Sequence, residues 1–147
     1  MKTPQKEFQY VEWLSAEVMH TASRNWLSEL LFVKDEQLFF DDLIKSYTLD
    51  LIDSKHFPKS QKIVKQLADL QKETDKLIPI IKKHEIGLEI MVNKIDELEE
   101  EENYKNEHRK LIVLVAEYFE NYKTVKKLLY KLIKGVIKEK KQKLLLQ

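Results

Sequence analysis

The feature that most constrains this chain is a series of positions between residues 59 and 100 that are spaced alternately by four and three. Nine of the eleven positions are apolar, and the other two are Thr74 and His84. A 3.5-residue period held over about five heptads is typical of a long helix packed lengthwise against others. We call these positions the seam: Ile63, Leu67, Leu70, Thr74, Leu77, Ile81, His84, Leu88, Met91, Ile95 and Leu98.

The segments on either side of this one repeat the spacing. Glycine and proline together number only five among 147 residues, which favours few and long helices. The seam continues in two further sets: Trp26, Leu30, Val33, Gln37, Phe40, Ile44, Tyr47 and Leu51, then Tyr104, His108, Leu111, Val115, Tyr118, Tyr122, Val125, Leu129, Leu132 and Val136.

Two stretches read as breaks, one around Pro58 at residues 53–60 and a weaker, polar one at 99–107. Short connections place neighbouring helices antiparallel. The sequence thus predicts a single all-α domain over residues 1–147, an elongated antiparallel three-helix bundle of long, coiled-coil-like helices. Those helices are expected at about 5–52, 59–100 and 103–144.

Pro79 lies inside the second predicted helix. A proline there removes one backbone hydrogen bond and clashes with the preceding turn. The seam nevertheless keeps its phase from Leu77 to Ile81, so we predict a kink in a continuous helix. Gly87 lies off the seam, and we expect it to allow the close approach of a neighbour or to ease the bend.

The first predicted helix carries eight of the fourteen aromatic residues of the chain. Its four consecutive apolar residues at 30–33 surround the helix axis, so two neighbours would leave part of them uncovered. We therefore expect a contact with a second copy in a two-fold homodimer. The alternative is a wide apolar face that both neighbours of the helix cover. The candidate interface residues are Trp13, Trp26, Leu31, Phe32 and Phe39.

Charge is unevenly distributed along the chain. The net charge of +1 is the balance of −4 over residues 1–52, −3 over 53–102 and +8 over 103–147. In an antiparallel bundle the basic end lies level with the acidic second half of the first helix, so we favour complementary charge within the chain. The alternative is a surface for nucleic acid or an anionic membrane. Its candidate residues are Lys126, Lys127, Lys131, Lys134, Lys138, Lys140 and Lys141.

Candidate chemistry is sparse. A di-metal site in a helical bundle needs two Glu-x-x-His motifs and two further glutamates. Only Glu17 and His20 have that spacing in a predicted helix. A metal site there is our second alternative, against a polar interruption that fixes the register of the helices.

His84 occupies a seam position and should be buried. Counting from the predicted turns places it level with Asn25 or Trp26 on the first helix and with Tyr118 on the third. The amide of Asn25 and the hydroxyl of Tyr118 would satisfy both ring nitrogens. We expect a satisfied core histidine, with a pH switch as the alternative.

Residues 26–43, "WLSELLFVKDEQLFFDDL", and the later pair His84 and Glu85 resemble uncharacterised small bacterial all-helical proteins. Their first helix carries a W-x-x-E-L-x-F-x-x-D-E pattern. The resemblance covers roughly residues 24–90 and implies a shared helical architecture, with no activity or site residues attached. Spectrin-like repeats are similar in layout only. The positions that match the pattern are Trp26, Glu29, Leu30, Phe32, Asp35 and Glu36.

Several functional classes have no sequence support. There is no glycine-rich phosphate loop and no nucleophile elbow. We therefore predict a non-enzymatic protein without cofactor that acts through helix-mediated self-association or through a protein partner. The lack of cysteine fits a reducing compartment. The longest apolar run and the polar N-terminus lack the features of a membrane span or a secretory signal, so we expect a cytoplasmic location.

Overall fold

The computed structural model describes residues 15–93 and 98–146, and 94% of these residues are helical. No strand occurs in these two ranges. The all-α class predicted from the sequence is therefore confirmed. The helices are α1 (Ala16–Ser46), α2 (Thr48–Ile52), α3 (Phe57–Val92) and α4 (Leu98–Leu145).

The helices divide between two compact units. Unit 1 consists of Met1–Phe32 and Asp75–Tyr118, and unit 2 consists of Val33–Thr74 and Phe119–Gln147. Each of α1, α3 and α4 contributes a segment to both units, and each unit is described by itself below.

Seam positions form the core, as the 3.5-residue period predicts. In α3 every described seam residue from Ile63 to Met91 is buried. In α4 the seam is buried from His108 to Val136. Of the eight seam positions from Trp26 to Leu51, which fall in α1, at Tyr47 and in α2, five are buried and the other three are partly exposed. Ile95 and the side chain of Leu98 lie outside the described part. The spacing alone therefore identified the inward face of these helices.

Two predicted helix starts are corrected. α3 begins at Phe57 instead of 59, because Pro58 falls in the first turn, where a missing N–H costs nothing. α4 begins at Leu98 instead of 103 and runs through Asn103 without interruption. Glu100, Glu101 and Glu102 lie in the first turns of α4, where negative charge stabilises the positive end of the helix dipole. A polar run that reads as a break is here a favourable helix start.

The first predicted helix is interrupted near its end. Tyr47 has φ −107° and ψ 11° and separates α1 from α2. The hydroxyls of Ser46 and Thr48 donate to the carbonyls of Asp42 and Ile44 at 2.9 and 3.0 Å. Such bonds back to the preceding turn distort a helix. At the other end, the backbone N–H of Val18 donates to Ser15 Oγ at 3.3 Å, which caps α1. The predicted start near residue 5 lies outside the described residues.

α3 continues through Pro79, as predicted. The prediction for Gly87 is also confirmed, because the phenol ring of Tyr104 lies directly on this glycine. A Cβ added at Gly87 would overlap the Tyr104 hydroxyl and stand 2.7 Å from the ring carbons Cε1 and Cζ. Tyr104 can therefore approach α3 only where the side chain is missing.

Each unit has its own core. In unit 1, Met19 and Leu88 are fully buried, and Tyr104 and Ile112 pack against them. In unit 2, the ring of Phe40 contacts those of Tyr122 and Tyr130, with ring centroids 6.4 and 5.8 Å apart. These contacts fix the helix faces that carry the polar clusters described next.

Candidate functional sites

The predicted interface residues are divided by their exposure. Leu31 and Phe32 in unit 1 are 48% and 65% exposed, and Phe39 in unit 2 is 55% exposed. Leu38, also in unit 2, is 62% exposed. Trp26 differs, because it is partly buried and its indole stacks on the His108 ring at 4.8 Å. Trp13 lies outside the described residues.

Some of the basic residues of α4 have acidic partners within unit 2. Lys126 Nζ donates to Glu36 Oε2 at 2.7 Å, and the Tyr122 hydroxyl donates to Glu36 Oε1 at 2.6 Å. Lys140 Nζ lies 3.4 Å from Asp50 Oδ2. For these two lysines, the complementary charge that we expected within the chain is present.

Three other lysines of α4 line a groove in unit 2. The groove has a volume of about 640 Å³ and lies between the first turns of α3 and the second half of α4. Its lining contains five lysines, one histidine and no carboxylate. The residues are His56, Lys59, Lys62, Ile63, Gln66, Leu128, Lys131, Leu132, Lys134, Gly135 and Lys138.

The lining of this basic groove is amphipathic. Ile63, Leu128 and Leu132 supply apolar surface, and the lysines supply positive charge. Gln66 Oε1 is buried and accepts no hydrogen bond in the described part of the chain. The other two lysines named from the sequence, Lys127 and Lys141, are exposed and do not line the groove.

A pair of histidines forms a polar cluster in the core of unit 1. His84 Nε2 and His108 Nδ1 are 3.0 Å apart and share one hydrogen bond. His84 Nδ1 lies 3.6 Å from Glu107 Oε1 and makes no hydrogen bond of its own. A carboxylate at that distance favours a proton on His84 Nδ1. His84 Nε2 then accepts the hydrogen bond that the N–H of His108 Nδ1 donates.

Burial determines the charge of this pair. Desolvation lowers the pKa of His84, and Glu107 partly opposes that effect. Desolvation, followed by the charge of His84, lowers the pKa of His108 to about 4. Both imidazoles are therefore neutral at pH 7. The core of unit 1 contains two neutral rings joined by one hydrogen bond.

The predicted burial of His84 is confirmed, and its predicted partners are corrected. Asn25 is exposed on α1, Tyr118 is buried, and the hydrogen-bond partner of His84 is His108. Sequence reasoning missed this pairing, although His108 is itself a seam residue of the third predicted helix. Two histidines on facing seams were the signal.

His20 also has other partners than expected. Glu17, three residues earlier, is exposed, and the groups that approach His20 come from α3. His20 Nε2 is 3.3 Å from Glu85 Oε1. Together with Glu89 these side chains offer three ligand atoms, all within 4.8 Å of one another. The Glu17–His20 pair predicted from local spacing is thus replaced by a cluster from two helices.

No family model, curated protein or solved structure matches this chain. Among the described helices, none has an apolar stretch of the length and hydropathy that crossing a bilayer requires.

Proposed function

We propose that this protein is a non-enzymatic helical module that associates with a second copy of itself through α1. The observation that carries the proposal is the exposure of four large apolar side chains on that one helix: Leu31, Phe32, Leu38 and Phe39. Leu31 and Phe32 lie in unit 1, and Leu38 and Phe39 lie in unit 2.

The energetic argument concerns the solvent contact of these side chains. Removing apolar surface from water contributes about 25 cal/mol per Å², so a buried phenylalanine contributes roughly 1.5–3 kcal/mol. Trp26 is already engaged with His108 and is less suited to an intermolecular contact than Phe32. We therefore place Phe32, the most exposed of these side chains in unit 1, at the centre of the proposed interface.

We also propose the antiparallel three-helix arrangement for each unit. In unit 2, contacts between α1 and α3 run in opposite order, since Gln37 bonds Thr74 at 3.2 Å whereas Asp41 bonds Gln71 at 2.9 Å. Contacts of α1 and α2 with α4 run in the same order as the sequence, from Glu36–Lys126 on α1 to Asp50–Lys140 on α2. Such registers support a chain that reverses direction twice.

The association proposal predicts a concentration-dependent dimer. We expect wild type to sediment with twice the chain mass. We expect Phe32→Glu to weaken the dimer by about 100-fold or more, because a two-fold interface contains this side chain twice and each buried phenylalanine contributes roughly 1.5–3 kcal/mol. Sedimentation equilibrium over a concentration series measures both. Leu144→Glu is the matched control, because Leu144 on α4 is similarly exposed and outside the proposed interface. A wild-type monomer, or equal weakening by both variants, would contradict the proposal.

The basic groove of unit 2 supports a second candidate function, the binding of an anionic amphiphile. The phosphate backbone of a nucleic acid would contact the lysines but not the apolar surface of Ile63, Leu128 and Leu132. A single-chain lipid anion would use both, with its chain on Leu128 and Leu132 and its head group among the lysines. This candidate differs from the anionic membrane surface predicted from the third helix, because it places a single lipid in a groove that contains only three of those lysines.

Charge reversal tests the basic groove. We expect Lys131→Glu/Lys138→Glu to weaken binding to a lysophosphatidic acid probe by about 30-fold or more, because each lysine near an anionic surface contributes about 1 kcal/mol. The control Lys127→Glu/Lys141→Glu makes the same charge change outside the groove. Fluorescence titration at several salt concentrations measures the affinities. Equal losses in the two double variants would contradict a specific groove, and tighter binding of DNA than of the lipid would favour the nucleic-acid alternative.

A further inference from the structure

We infer that His20, Glu85 and Glu89 of unit 1 bind a divalent first-row transition-metal ion. The inference is independent of the proposed association and of the basic groove. It concerns a cluster that local sequence spacing did not identify, because two of its members lie on α3 and one on α1.

The geometry brings three donor atoms together from two helices. Glu85 and Glu89 are four residues apart on α3 and therefore lie on the same helix face. His20 Nε2 stands 3.3 Å from Glu85 Oε1, and the three ligand atoms lie within 4.8 Å of one another. Ligands at about 2.1 Å from a shared ion are roughly 3.0–3.4 Å apart. Glu89 is exposed, so a rotation of its side chain can close the remaining distance.

The cluster is also unsatisfied as it stands. His20 Nε2 is buried and makes no hydrogen bond, although it faces the Glu85 carboxylate. The two side chains are only 18% and 16% exposed. No lysine or arginine forms an ion pair with Glu85 or Glu89 in the described ranges. Two carboxylates and an imidazole nitrogen that converge, with no lysine or arginine paired to the carboxylates in the described ranges, have the charge and lone pairs that bind a divalent ion.

Packing beside the cluster fixes its position. Met19 and Leu88 are fully buried in one core cluster of unit 1. Each is the immediate neighbour of a proposed ligand, since Met19 precedes His20 and Leu88 precedes Glu89. The Ser23 hydroxyl donates to the Met19 carbonyl at 2.8 Å and adds a bond on the same stretch of α1. The ligands are therefore held by rigid helices, which reduces the ordering that metal binding requires.

The donor set determines the class of ion. One imidazole nitrogen and two carboxylates suit Mn²⁺, Fe²⁺, Co²⁺ and Zn²⁺, whereas Mg²⁺ and Ca²⁺ prefer oxygen ligands alone. Three protein ligands leave at least one coordination position for water.

Titration of the chelator-treated full-length chain with Zn²⁺ tests the site. We expect one ion per chain, and at least tenfold weaker binding in each of His20→Ala and Glu89→Gln. Glu89 is exposed, so its variant should not disturb folding. Co²⁺ added in place of Zn²⁺ should give d–d absorption bands that are lost in His20→Ala, a direct readout of ligation.

Two variants serve as controls. Glu17→Gln removes the carboxylate that sequence spacing pairs with His20, and His56→Ala removes a histidine that has one carboxylate, Glu139, at 3.8 Å. Both should bind Zn²⁺ as wild type does. Retained affinity in His20→Ala, or a loss in Glu17→Gln or His56→Ala as large as in Glu89→Gln, would overturn the assignment.

Discussion

Lowering the pH from 6.5 to about 4 is expected to remove about 3 kcal/mol of folding free energy through His108 alone. Desolvation holds the pKa of the folded imidazole at about 4, against 6.5 as its ordinary value. Between these values the unfolded chain binds a proton that the folded chain does not. Stability is therefore full above pH 6.5, falls as the pH decreases, and loses this dependence below about 4.

The groups around His84 and His108 also contribute to the pH dependence of stability. Desolvation also lowers the pKa of His84, so the two rings add in the same direction. Glu107 partly opposes the lowering of the His84 pKa, because its carboxylate would form an ion pair with a protonated His84. The rings of Trp26 and Tyr104 cover the pair from α1 and α4 and offer no further charge.

The measurement is urea unfolding at half-unit steps of pH, in wild type and in His108→Gln. The glutamine removes the titrating group and keeps a polar side chain near His84. We expect the free energy of unfolding of wild type to fall by about 3 kcal/mol more than that of His108→Gln as the pH decreases from 6.5 to 4. Leu111→Ala is the control, because it loses core packing one turn from His108 without removing a titrating group, and its curve should stay parallel to wild type. Parallel curves for His108→Gln would show that His108 does not carry the effect.

The seam was predictable because it depends on local spacing alone. Which face of a helix is apolar follows from the order of residues, and the buried positions of α3 from Ile63 to Met91 match that order. Pro79 was correctly placed inside a continuous helix for the same reason, since the seam kept its phase across it.

Register between helices was not predictable, because it depends on where the chain turns. α4 begins at Leu98 and not at 103, so the partner of His84 shifts from Tyr118 to His108. These two residues are ten positions apart in the sequence, roughly 15 Å along a helix. An error of a few residues in the predicted start of α4 therefore changes which residues of α3 and α4 are predicted to face each other.

The proposed metal cluster shows the same limit. Glu17 and His20 stand out in the sequence because their spacing is local, whereas Glu85 and Glu89 reach His20 only through the packing of α3 on α1. The basic groove combines residues 56–66 with residues 128–138. Sequence reasoning named the lysines of one side and could not supply the other.

Gly87→Ala is expected to destabilise the protein by about 1–3 kcal/mol, although alanine normally stabilises a helix relative to glycine. The added Cβ would overlap the Tyr104 hydroxyl and lie 2.7 Å from two of its ring carbons. Tyr104 also packs on the core of Met19 and Leu88, so the ring cannot leave without exposing apolar surface. The higher helix propensity of alanine favours the variant, whereas the overlap with the Tyr104 ring disfavours it. We expect the overlap to have the larger effect.

A double-mutant cycle separates the two effects. In a Tyr104→Ala background the obstruction is gone, and Gly87→Ala should become stabilising by up to about 1 kcal/mol, the ordinary difference between these residues in a helix. Gly135→Ala is the matched control within unit 2. The atoms nearest to its added Cβ are in the ring of His56, the closest at 3.2 Å, and this partly exposed side chain can shift. Urea unfolding of the four cycle members and the control gives each value. If Gly87→Ala has the same sign with and without the Tyr104 ring, the close approach of Tyr104 is not what requires a glycine at this position.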